Sequence, residues 1–173
     1  MRDENDFYET PEFVTKELLD REEFTNSIWE PACGKGAISD VLYEFEFTDI
    51  FSSDLIYRDY GLQIDFLTTN DIIYKNIITN PPYKLATEFI LHAKNCSTNK
   101  IAMLLPTTFL ESQKRYDLYQ DRIFPLKCIY QFSKRISIYH PKANTKVPGK
   151  IAYAWFVWDK TYTGLEPTIK WIK

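Results

Sequence analysis

Glycine, histidine and cysteine are all scarce in this chain of 173 residues, with five, two and three copies respectively. The cysteines, Cys33, Cys96 and Cys128, are odd in number, far apart and free of any CxxC spacing. That pattern argues against a disulfide framework or a zinc site and predicts a reducing, cytoplasmic setting. His92 and His140 stand apart from other ligand types, so no metal is expected. His92 falls inside a helical pattern, where a structural role is expected. No apolar run approaches the roughly 18 residues that a membrane span needs. The opening "MRDENDFYET" is acidic and polar, unlike a signal peptide. Repeats, low-complexity tracts and Gly/Ser linkers are missing too, which predicts one domain over 1–173 with no separate target-recognition domain.

Acids are missing from one region. Residues 1–71 hold 18 Asp/Glu against 5 Lys/Arg, whereas residues 122–158 hold 7 Lys/Arg and no acid. Such asymmetry fits either a solvated basic loop or a face for a polyanion. What is abundant is apolar and aromatic: 45% hydrophobic and 16% aromatic residues, the composition of a packed domain.

The hydrophobic pattern alternates strands and helices. Helices are predicted over 9–23, 37–46, 84–96 and around 109–121. Strands are predicted over 27–36 (ending in a glycine turn), 48–55, 62–67, 71–80 and 100–106. Thr10 is expected to cap the first helix, with Pro11 at its first position. Segments 126–133 and 151–160 read as an antiparallel strand pair closing one sheet edge. Mostly apolar strands separated by helices indicate an α/β fold with a mainly parallel sheet covered on both faces. In such sheets ligands bind beyond the carboxyl ends of the strands.

Those ends carry the chemistry. "EPACGKG" puts Gly34 and Gly36 between a strand and a helix, an ordinary tight turn or a place for close ligand approach. Glu30 beside it would repel a phosphate and suit an ammonium group. Asp54 ends the next strand, where an acid can accept from ribose hydroxyls, although a loop aspartate or helix cap has the same signature. Asp65-Phe66 offers an acceptor and a ring. Together these describe a pocket for a nucleoside with a cationic amino-acid tail. "NPPY", Asn80 to Tyr83, follows a β-branched strand end, and reads either as a rigid corner or as a site.

The pieces "FYETP", "EPACGKG", "SSDL", "IDFL" and "NPPY", in that order, resemble the class I S-adenosylmethionine-dependent methyltransferases that act on adenine N6 in DNA, in their gamma arrangement. The resemblance runs from about Tyr8 to Phe109 and more loosely to Trp158. It implies a Rossmann-like fold with a mostly parallel seven-stranded sheet and an antiparallel C-terminal pair, and S-adenosyl-L-methionine as cofactor. By resemblance, Tyr8, Thr10, Pro11, Glu30, Pro31, Ala32, Gly34, Gly36, Asp54, Leu55, Asp65, Phe66 and Asn80 would hold the cofactor. Asn80, Pro81, Pro82 and Tyr83 would be catalytic. Tyr83 would stack on the target base, Phe109 or Tyr139 would cover its other face, and Lys134, Arg135, His140, Lys142 and Lys146 would meet phosphates. Asp54 and Asp65 are so close that the helix expected between their strands must be very short or absent. The partner expected is nucleic acid, DNA ahead of RNA, and a second protein could supply target recognition. RNA adenine methylation, glutamine N5-methylation and an inactive binding subunit are the alternatives.

Overall fold

The computed structural model describes residues 9–136 and 151–173. Eight strands form one sheet in the order β3-β2-β1-β4-β5-β7-β6-β8. They are β1 (Ile28–Glu30), β2 (Ile50–Asp54), β3 (Leu62–Gln63), β4 (Tyr74–Thr79), β5 (Ser97–Pro106), β6 (Leu126–Phe132), β7 (Tyr153–Asp159) and β8 (Thr168–Ile172). The helices are α1 (Glu12–Leu19), α2 (Ala37–Glu44), α3 (Ala86–Cys96) and α4 (Tyr116–Gln120). β1 to β5 pair in parallel, β7 runs antiparallel to both β5 and β6, and β8 lies parallel to β6. This is the α/β architecture that the alternating pattern predicts.

Side chains alternate across the strands and feed two cores. Ile101, Met103 and Leu105 of β5 face one way, with Phe156 and Trp158 of β7 and with Phe89, Ile90 and Ala93 of α3. Ala102 and Leu104 face the other way, with Trp155 and Val157 of β7, Val14 and Leu18 of α1, and Ile38 and Leu42 of α2. All seven residues of β7 are buried. A strand with no exposed face belongs inside a sheet with both faces covered, because neither side chains nor backbone can then be left to water.

Several elements differ from expectation. The sheet has eight strands, not seven. β8 is the addition: its first four residues are exposed, so no alternation advertises it. The antiparallel pair β6 and β7 does not close the edge, since β8 pairs with the outer side of β6. The 62–67 strand shrinks to two residues followed by a 3-10 turn, Phe66–Thr68, because the Asp65 side chain accepts from Leu67 N at 3.0 Å and turns the chain. The helix around 109–121 breaks into 3-10 turns (Thr107–Leu110 and Gln113–Arg115) before the short α4. Thr10 does not cap α1; Pro11 occupies the cap position with no side-chain bond. Between β2 and β3 no helix forms. The connection is tight, with positive φ at Asp59 and Gly61.

Candidate active site

β1 and β2 run side by side in register, from Ile28 beside Ile50 to Glu30 beside Ser52. The chain order reverses here: β2 lies on one side of β1 and β4 on the other. A crevice at that reversal is the expected ligand position in an open α/β sheet. A cavity of about 360 Å³ lies there, walled by Glu9, Thr10, Glu30 to Gly34, Asp54 to Ile56, Arg58, Asp65 to Leu67, Asn80, Pro82, Lys84, Leu85 and Phe89, with Ala37 and Ile38 from α2. That volume suits a small organic ligand.

The glycine turn is fixed by its own hydrogen bonds. Cys33 N donates to Ser53 O at 2.9 Å, and Gly36 N donates to Cys33 O at 2.8 Å. Gly34, at φ +57°, donates its N–H to Asp54 Oδ2 at 2.9 Å, so the turn and the β2 acid are tied together. Gly36 has φ +88°, and a Cβ there would lie 2.3 Å from the Tyr60 ring. Its conformation serves that packing, and Gly36 is not part of the cavity wall. Tyr60 in turn donates its hydroxyl to Asp40 Oδ1 at 2.9 Å.

Glu30 is 1% exposed, and its carboxylate accepts from Ser39 Oγ, which also bonds Ser52 Oγ at 2.7 Å. Burial pushes its pKa up to about 8; the Ser39 hydrogen bonds pull down, while the charges of Asp54 and Asp40 push up. Burial thus favours the protonated form of Glu30 at neutral pH. Asp54 Oδ1 accepts from Ile56 N and from Arg58 Nη1, both at 2.9 Å. Phe66 is 2% exposed and wedged among Trp29 and Phe89, each 4.9 Å between ring centres, and His92 at 4.8 Å. His92 Nε2 lies 2.8 Å from Thr69 O, the structural role its helical position predicts.

Asn80 follows β4 directly. Its Nδ2 donates to Thr10 Oγ1 at 3.1 Å, whereas its Oδ1 is buried and has no hydrogen bond among the described residues. A buried acceptor without a donor costs about 1–3 kcal/mol. At a cavity wall, an N–H of a bound ligand is one donor that would satisfy it.

The structure gathers Thr10, Glu30, Pro31, Ala32, Gly34, Asp54, Leu55, Asp65, Phe66, Asn80 and Pro82 around one cavity. Pro11, Pro81, Gly36, Tyr83 and Phe109 lie off its wall. Tyr83 packs its ring on Tyr153, 5.7 Å between centres, where it bridges the two cores. Phe109 is 7% exposed, lies edge-on to Phe156 and carries the Arg115 guanidinium 4.3 Å above its ring. The ring packs in the core with Arg115 over one of its faces. Lys134 and Arg135 are exposed at the end of β6. Tyr8, Tyr139, His140, Lys142 and Lys146 lie outside the described residues. Wall residues that sequence reasoning missed include Cys33, Arg58, Lys84 and Phe89. Arg58 had a signal: it stands four residues beyond Asp54, and the two form an ion pair. Among the described residues no cluster could hold a metal ion, and no helix is long and apolar enough to cross a membrane.

No protein-family model matches the chain, and no curated protein matches it in sequence. Solved structures do match in fold. The crystal structure of an RNA methyltransferase candidate from Pyrococcus horikoshii superposes with a TM-score of 0.72 at 15% identity, over 91% of this chain and 89% of that one. The 23S rRNA methyltransferase ErmE gives 0.60 at 15% identity, over 93% of this chain and 71% of that one. DrdV, solved in complex with DNA, gives 0.65 at 12% identity; 97% of this chain matches only 28% of that much longer one. The chain therefore has the Rossmann-like fold shared by class I methyltransferases.

Proposed function

We propose that the chain is an S-adenosylmethionine-dependent methyltransferase acting on adenine N6 in DNA. The observation that carries this reading is the Asn80 carboxamide: one end held by Thr10, the other a buried acceptor awaiting a donor. The cofactor fits the donor set. Glu30 would meet its ammonium, the Gly34 turn would run along its methionine part, Asp54 would accept from its ribose, and Asp65 with Phe66 would hold its adenine. Bound there, it supplies a methyl group on a cationic sulfur. Three carboxylates at the wall, Glu9, Asp54 and Asp65, together with Glu30, which a bound cation would ionise, outnumber Arg58 and Lys84 and favour such a cation.

An adenine amino nitrogen is a weak nucleophile because its lone pair is delocalised into the ring. Acceptance of its two N–H bonds by Asn80 Oδ1 and the Pro81 carbonyl localises that pair on nitrogen. Proline fixes its own φ and restricts the residue before it, so both acceptors are held before the substrate arrives. Acceptors that need no reorganisation supply much of catalytic stabilisation. Tyr83, packed against Tyr153, would lie beside the base. In duplex DNA the base must leave the stack to reach the cavity. The basic stretch 122–158 supplies phosphate contacts that position the strand without reading its sequence. Target choice falls to this single catalytic domain or to a partner protein.

RNA is the second reading, favoured by two structural neighbours described as RNA methyltransferases. The test is mass spectrometry of digested nucleosides. Protein and S-adenosylmethionine are incubated with duplex DNA, single-stranded DNA or total RNA, with Asn80→Ala as control. N6-methyldeoxyadenosine from wild type alone is the expected result. N6-methyladenosine in RNA alone moves the assignment to RNA, and no methylated base in any substrate defeats both.

A further inference from the structure

Asn80 and Thr10 are 70 residues apart in sequence, and each directly precedes a proline, Pro81 and Pro11. A residue before proline is confined to extended backbone. The bond between them therefore joins two restrained points. Thr10 is 5% exposed, on the short stretch between a β-bridge at Glu9 and α1. Its side chain makes no cap bond to α1, and its oxygen accepts from Asn80 Nδ2. A carboxamide has two orientations that exchange oxygen and nitrogen. With Nδ2 on Thr10, the oxygen takes the buried position that has no partner among the described residues. The reverse orientation would place an amino group there, which would repel the N–H groups of an incoming amine.

We propose that Thr10 is a positioning residue: its hydroxyl holds the Asn80 carboxamide so that Oδ1 faces the target amino group. The inference rests on the role given to Asn80 above. It differs from the sequence expectation that Thr10 covers the cofactor, because the partner is now the catalytic amide. Valine has threonine's shape without the hydroxyl, and serine restores the hydroxyl without the methyl. The two substitutions thus separate hydrogen bonding from packing.

The experiment compares wild type, Thr10→Val and Thr10→Ser by three measurements. These are S-adenosylmethionine affinity by calorimetry, the single-turnover methylation rate on adenine-containing oligonucleotides, and the side-chain amide resonances of Asn80, assigned by their loss in Asn80→Ala. Thr10→Val should keep cofactor affinity within about twofold and lose about 100-fold in rate, the scale of a misplaced catalytic group. Its Asn80 amide signals should shift, and Thr10→Ser should recover most of the rate. A Thr10→Val rate equal to that of an active wild type overturns the proposal. So does a rate loss matched by lost cofactor affinity, which would put the hydroxyl on the cofactor. If wild type methylates no nucleic acid, the functional reading fails, and the resonances decide Thr10 alone. Unshifted Asn80 signals in Thr10→Val would then overturn the bond.

Discussion

Glu30 is the residue on which pH acts most directly. Buried, with a pKa near 8, it holds a proton at neutral pH that a bound ammonium would expel. Calorimetry of S-adenosylmethionine at pH 7 in buffers of different ionisation enthalpy should show release of close to one proton, and Glu30→Gln should abolish that release. The reaction roles separate in the same assay: Asn80→Ala should lose methyl transfer while keeping cofactor affinity, and Asp54→Ala should weaken the cofactor at least 10-fold, a loss of about 1.4 kcal/mol. These polar residues were legible because strand ends in an α/β sheet converge on one crevice. The aromatic ones were harder to place. A ring following a strand has the same sequence signature whether it faces a ligand or the core, so Phe109 and Tyr83 could not be sorted before packing was known. Cys33 and Arg58 sit in irregular turns, where periodicity carries no information.

At the scale of elements, α2 depends on a left-handed residue at its start. Gly36→Ala would force a Cβ into that conformation and against Tyr60, and should lower stability by about 2 kcal/mol in urea titrations, with Tyr60 displaced from Asp40. β7 is tied to α1 through Trp155 Nε1, which donates to Val14 O at 2.7 Å inside the core. Trp155→Phe keeps most of the ring but leaves that carbonyl without its donor, and should cost about 1–3 kcal/mol by the same measurement. α1, α2, α3, β1, β4 and β5 were readable from apolar periodicity and β-branched runs. β3 was read too long, because the turn at Asp65 cuts the strand after two residues, and β8 was missed, because an edge strand exposed for most of its length looks like loop. The position of β7 was missed for a different reason. Burial on both faces was evident in its composition, but which neighbours it divides is a property of the whole sheet.

For the molecule as a whole, charge near the amino end of β5 sets the acid limit. Lys100 and Lys127 both reach Glu22 and Asp159, with N–O separations of 3.2 and 3.6 Å from Lys100 and 2.9 and 3.3 Å from Lys127. Burial opposes ionisation of Glu22, yet hydrogen bonds from Tyr130 and Lys127 and the charge of Lys100 outweigh it and hold its pKa below 4.5. Burial likewise opposes ionisation of Asp159, where the hydrogen bonds from Thr161 and the charges of Lys100 and Lys127 prevail. Their contribution is complete above the unfolded values and fades as pH falls through the folded ones. Glu30 works in the opposite direction. The folded protein keeps a proton that the unfolded chain releases near 4.5, so stability falls as pH rises from 4.5 toward about 8. Without cofactor, the thermal midpoint should peak near about pH 5, and Glu30→Gln should flatten the alkaline side alone. The placement of β7 also governs timing. Tyr153–Asp159 must enter between β5 and β6, both made earlier on the ribosome. During synthesis β5 therefore waits with one edge unpaired, and β6 has no neighbour in the parallel half to join. The two halves join only when the chain has been translated past residue 159, and the sheet completes past 172, so a product stalled or shortened before 159 would present a long apolar edge to other chains.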